Sequence, residues 1–237
     1  MKLTLPTAFV VATLASVNAQ ASSFDTIALP TLNTDLTTWT DGVAYSGLFT
    51  GIQTLGGVPF ALSTDVNGNN AFFPAGSSPF NMSGNTTLTI QTNIVDPTTA
   101  YTLINTAFGF DGNNVGSVTF NTSNNESYTL QLIEGLNVRD HYNGYYINST
   151  SSPMTQDVFG GNAQWTAHLD MQTILLPSSF QSETLTSIVF QSTGLGTGGE
   201  PFLAGVTVAT ATPIPAAIWM VGSALFGLGG FFRRKMA

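Results

Sequence analysis

The chain has 237 residues, only 8% of them charged against about 25% in an ordinary soluble domain, and its 13 acids and 5 Lys or Arg give a net charge of −8. All the acids lie between Asp25 and Glu200, while Lys2, Arg233, Arg234 and Lys235 sit at the ends, so Arg139 is the only strong base in the body. Nucleic-acid binding, which needs clustered Lys and Arg to displace counterions, is excluded, and so is a disordered polyanion, because core-forming Phe, Val, Ile and Leu are plentiful.

At the N-terminus Met1 and Lys2 form a short positive region, an apolar run follows through Ala8, Phe9, Val10, Val11 and Leu14, and Val17-Asn18-Ala19 supplies small residues. This is the pattern of a secretory signal peptide over residues 1–19, cut after Ala19 or, alternatively, Ala21; it calls for export machinery and a signal peptidase. The exported body, residues 20–212, holds no Cys. It must therefore stand on its core and hydrogen-bond ladders, which a domain of this size can do because it buries about 70% of its unfolded surface.

Within the body helical periodicity is nearly absent and period-two alternation recurs in short runs. Strands are predicted over 43–50, 87–91, 101–107, 116–121, 127–132, 135–140, 164–174, 184–190 and 202–208. Turn clusters rich in Gly and Asn separate them at 67–70, 111–114 and 194–199. Many short strands with turns between them predict one all-β domain, a sandwich or a barrel, of which the antiparallel β-sandwich is the expected form.

Chemistry has few places to sit. Asp65-Val66-Asn67-Gly68-Asn69 alternates oxygen ligands in the manner of a calcium loop and raises calcium as a cofactor, but Asn70 and Gly76 stand where an EF-hand needs Gly and Glu, and a plain Asn-Gly turn is the simpler reading. Arg139-Asp140-His141-Tyr142-Asn143-Gly144-Tyr145-Tyr146 is the densest polar-aromatic stretch. Flat aromatic faces beside planar carboxylate and guanidinium groups suit a sugar ring and its hydroxyls; alternatively, Arg139 simply neutralises Asp140 or Glu134. Trp165, His168 and Asp170 form a second group, with His168 and Asp170 on one face of a strand and Trp165 on the other. No spacing of His and acids suits zinc, and no Gly-x-Ser-x-Gly elbow is present, so the sequence assigns neither a metal site nor a catalytic residue. Among Glu126, Glu134, Glu183 and Glu200 no two are fixed at the separation a glycosidase pair needs.

The C-terminal segment, residues 213–237, opens with 20 uncharged residues, Pro213 onward, and closes on Arg233-Arg234-Lys235. As a helix the run would span about 30 Å, the thickness of a bilayer core, with Trp219 near one end and the basic triplet on the cytoplasmic side. The box Pro213-Ile214-Pro215-Ala216-Ala217, then Trp219, Gly222-Ser223-Ala224, an apolar run and the basic tail resembles the C-terminal sorting signal of PEP-CTERM proteins, in its Val-Pro-Leu-Pro-Ala variant. That resemblance implies a Gram-negative exporter, an inner-membrane-anchored precursor, an exosortase-like membrane protease acting near the box, and a mature form at the cell surface or outside it. Ile214 and Thr212 depart mildly from the box.

Tyr101-Thr102-Leu103-Ile104-Asn105-Thr106, Gly135-Leu136-Asn137-Val138-Arg139-Asp140-His141-Tyr142, Leu169-Asp170-Met171-Gln172 and the closing Phe202 to Val208 run resemble galactose-binding-like jelly rolls. The resemblance implies a jelly-roll-like sandwich and extracellular polysaccharide as a partner, with Arg139, Asp140, His141, Tyr142, Tyr145 and Trp165 as ligand-binding candidates. A secreted polysaccharide-acting hydrolase and a ligand-free structural coat protein are the alternatives.

Overall fold

The computed structural model describes residues 22–38, 45, 47–74, 87–142, 144–160, 166–193 and 198–211. The signal peptide, the sorting residues Pro213, Pro215, Ala216, Trp219, Arg233, Arg234 and Lys235, and Trp165 all lie outside them.

The described residues are mostly strand: β1 (Ser22–Ile27), β2 (Gly51–Leu55), β3 (Val58–Leu62), β4 (Thr87–Val95), β5 (Pro97–Ala107), β6 (Asn114–Thr122), β7 (Ser127–Ile133), β8 (Thr155–Gly160), β9 (His168–Leu175), β10 (Thr184–Ser192) and β11 (Glu200–Ala211). β1-β11-β5-β9-β8 form a five-stranded sheet, β4-β10-β6-β7 a four-stranded one, and β2-β3 a hairpin; neighbours are antiparallel throughout. The two larger sheets face each other as a sandwich. Ala100, Ile104, Ile174, Val206 and Val208 of the first meet Leu88, Ile90, Val118, Phe120, Ile188 and Phe190 of the second in one core.

The five-stranded sheet is covered on its other face as well. Leu103, Leu169, Met171, Phe202 and Ala204 pack there against Val58, Phe60 and Leu62 of the hairpin and against Leu36, Tyr45, Phe49 and Phe73. β11 is therefore buried on both faces almost end to end, which is why its sequence runs apolar with small residues between. Gly205 marks the closest approach: a Cβ there would stand 2.9 Å from a Leu62 methyl. Thr207 Oγ1 donates to the Pro59 carbonyl at 2.6 Å and ties the hairpin down.

Two expected strands do not form among the described residues. Of residues 43–50, the described ones are coil, turn and bend; Gly47 has φ 76°, and Tyr45, Leu48 and Phe49 reach the second core from a loop, the first hairpin starting only at Gly51. Residues 135–140 are a turn followed by isolated bridges, because Gly135 at φ 75° reverses the chain and Asn137 holds it, accepting the Ile133 N–H at 2.8 Å and donating to Gln131 O at 2.8 Å. Among the described residues no helix is long and apolar enough to cross a membrane.

Candidate functional site

The turn after β7 delivers residues 139–141 alongside the end of β5. Thr106 N–H donates to Arg139 O at 2.9 Å and His141 N–H to Thr106 O at 2.8 Å, a short parallel pairing. Extended backbone alternates its side chains. Arg139 and His141 consequently face the core under the hairpin, while Asp140 faces the mouth of the sandwich.

On the first face every Arg139 nitrogen is occupied. Nε and Nη2 grip Asp170 at 2.6 and 2.7 Å, Nη1 donates to Asn148 O at 2.8 Å, and Nη2 also lies 3.1 Å from Asp157. Asp170, 1% exposed, additionally accepts Asn105 Nδ2 at 2.8 Å, and its own N–H donates to Asn105 Oδ1 at 2.7 Å. Burial disfavours the guanidinium's charge, but the two carboxylates outweigh it and raise the Arg139 pKa. Burial likewise opposes the Asp157 charge, and His168, whose Nδ1 is 2.6 Å away, together with Arg139 pulls that carboxyl below its usual value. Tyr45 Oη donates to His168 O at 2.9 Å and lies 3.0 Å from His141 Nδ1, so Nδ1 carries the proton and donates to the phenol. Burial, with His168 beside it, pushes the His141 pKa down to about 3 and keeps the ring neutral.

The other face is different in kind. Asp140 accepts the Tyr142 N–H at 3.0 Å, yet burial lifts its pKa to about 7. Glu134, 1% exposed, has no well-formed hydrogen bond on either carboxyl oxygen, and burial lifts it to about 8; the Thr106 hydroxyl nearby offsets part of this and Asp140 adds repulsion. A Cβ on Gly109 would overlap the Glu134 carboxyl, and one on Gly199 would crowd it. Just outside, Phe108 holds φ 64°, an uncommon conformation for so bulky a residue. Its ring and that of Phe110 meet Tyr146 edge-on at 5.3 and 5.4 Å, and Tyr145 meets Tyr146 at 6.0 Å. Tyr145 is 89% exposed and Phe110 54%.

The sequence-predicted stretch is thus split. Arg139, Asp140 and His141 are interior, Tyr142 is half-buried, and Tyr145 stands in solvent. The partners of Arg139 are Asp170 and Asp157, not Asp140 or Glu134. His168 and Asp170 do share a network, joined through Arg139 and Asp157. Sequence reasoning missed Tyr45, Asn105, Asp157, Phe108 and Phe110; the alternation of Phe108-Gly109-Phe110-Asp111 before an Asn turn was the available signal for the last two. Both Asp65 oxygens accept N–H groups from Asn67 and Asn69, so that loop closes on itself as a turn. Among the described residues no three His, Asp or Glu side chains are grouped to hold a metal. A groove of about 240 Å³ opens between β7 and β9, lined by Tyr128, Leu130, Ile174 and Leu175; of its polar residues, Asn137 and Gln172 are already bonded within the domain. No protein-family model matches the chain, and no curated protein matches it.

Proposed function

We propose that this is an exported cell-surface or extracellular-matrix protein, handed to the envelope by an exosortase-type system acting on residues 213–237, whose β-sandwich holds glycans at the loop end carrying Phe110, Tyr145 and Tyr146. The observation that carries the glycan reading is the pair of exposed rings, Phe110 and Tyr145, braced from behind by Tyr146 and Phe108. Such a platform offers fixed apolar faces to sugar rings, and exposed Asp111 beside it offers a hydroxyl acceptor. In this reading Arg139 does not touch the sugar; it pins the segment from which Tyr145 projects. The export reading is supported by the N-terminal pattern and the Pro-Ile-Pro-Ala-Ala box.

A glycan array tests the first half. The mature protein is expected to bind at least one polysaccharide, and Tyr145→Ala or Phe110→Ala to weaken that binding about tenfold or more with an unchanged melt. Silence across the array would favour the coat-protein alternative. Mass spectrometry of surface material tests the second half: the C-terminus is expected upstream of Trp219, and an intact Lys235 in most molecules would mean a plain membrane anchor.

A further inference from the structure

Three oxygens from two separate elements share one unusual property. Both carboxyl oxygens of Glu134, from the turn after β7, and Oγ1 of Thr106, near the end of β5, are buried and without a hydrogen-bond partner. Buried polar atoms are paired in the great majority of cases, and an orphan costs its full desolvation penalty. Here three orphans adjoin, with the Asp140 carboxyl close enough to repel Glu134.

Protonating Glu134 would remove its charge but not the mismatch. The new O–H could turn only to the Thr106 hydroxyl or the Asp140 carboxyl, and the other oxygens of the enclosure would still lack donors. Lys and Arg are absent from the enclosure, since the one strong base of the body is committed to Asp170 and Asp157 on the opposite face. What satisfies a carboxylate, a hydroxyl and a second carboxyl together is a hard cation, which takes six to eight oxygens and accepts main-chain carbonyls and water to complete its shell.

We infer that Glu134, Asp140 and Thr106 form a calcium-type cation site at the mouth of the sandwich, beneath the Phe108–Phe110 turn. Glycines at 109 and 199 fit this role, because any side chain there would press on the Glu134 carboxyl. The site is distinct from the Asp65 loop, whose oxygens are already engaged by N–H groups. Its position links β5, the turn after β7 and the start of β11, so an ion there would fasten three segments that otherwise meet over unpaired oxygens.

The test is calcium titration into chelator-stripped full-length protein at about pH 8, by calorimetry and by melting, with magnesium alongside. One calcium per chain is expected, with the melt rising by about 5–10 °C at about 100 times the dissociation constant. Glu134→Gln should abolish the heat and the shift, and Asp65→Asn should leave both intact. No response up to about 10 mM calcium, beyond the weakest extracellular sites, would overturn the inference, as would loss of binding in Asp65→Asn with Glu134→Gln unaffected. If Glu134→Gln does not fold, Thr106→Val decides: it must weaken calcium at least about tenfold, and an unchanged affinity refutes the site.

Discussion

Two faces of the three-residue segment 139–141 treat buried charge in opposite ways. Toward the hairpin, Arg139, Asp170, Asp157 and His168 form a network in which every guanidinium nitrogen is bonded, and only His168 Nε2 is left without a hydrogen bond. Toward the mouth of the sandwich, Glu134 is as deeply buried as Asp170 but no cation or amide bonds its carboxyl, and only the Thr106 hydroxyl stands near it. Burial alone therefore does not determine how a carboxylate is satisfied. An arginine fork and an amide reach Asp170; no cationic group reaches Glu134, and burial raises its pKa.

The sharpest way to break this contrast is to remove the fork. Arg139→Ala leaves Asp170 buried and unpaired, and denaturant unfolding should record a loss of about 3–5 kcal/mol. Arg139→Lys should recover only part, since a point charge cannot bond both Asp170 oxygens as the fork does. A loss below about 1 kcal/mol would mean the network contributes little.

Acidity separates the two faces by sign. His141 is depressed in the fold to about 3, so its contribution is complete above the unfolded value near 6.5 and fades as pH falls toward 3. Glu134 and Asp140 are raised to about 8 and about 7, so the folded state holds protons the unfolded chain has released, and stability declines as pH climbs from about 4 to 8. Between pH 6.5 and 8 only the second effect remains. In chelator, unfolding free energy should drop by about 2 kcal/mol over that interval, and Glu134→Gln should remove most of the drop. A flat profile in the parent protein would show that Glu134 is charged and paired after all.

The smallest effect probes the enclosure itself. Gly109→Ala pushes a methyl against the Glu134 carboxyl, which sits at the end of a flexible side chain and can yield, so a cost of about 1 kcal/mol is expected. In a Glu134→Ala background that cost should vanish. Additive losses in the double-mutant cycle would place the strain elsewhere.

The all-β class and most of the strand positions were legible because apolar residues and turn residues alternate at strand spacing. The failures have local causes. Tyr45, Leu48 and Phe49 look like half a strand, yet they fill the second core from a turn that Gly47 permits. Residues 135–140 alternate well, but Asn137 satisfies the backbone of its own turn and competes with the ladder. That Arg139 neutralises an acid was readable from its solitude; which acid was not, because Asp170 lies 31 residues on and only the pairing of β5 with β9 brings it near. The Glu134 enclosure left no trace in the sequence, since it depends on Gly109 and Gly199 arriving from two different connections.

β1 and β11 pair so that Ser22 stands opposite Ala211, while the other end of β11, at Glu200, lies beside the Gly198–Phe110 contact of the aromatic loops. Twelve residues of strand, about 40 Å, separate the two ends. A body held from Ala211 and gripped at Phe110 would carry tension along the length of β11. The load falls on hydrogen bonds to β1 on one side and β5 on the other, pulled lengthwise so that they resist together. A strand clamped on both edges and both faces is the mechanical spine of this domain, and a pull applied between its two ends would be resisted by both ladders at once.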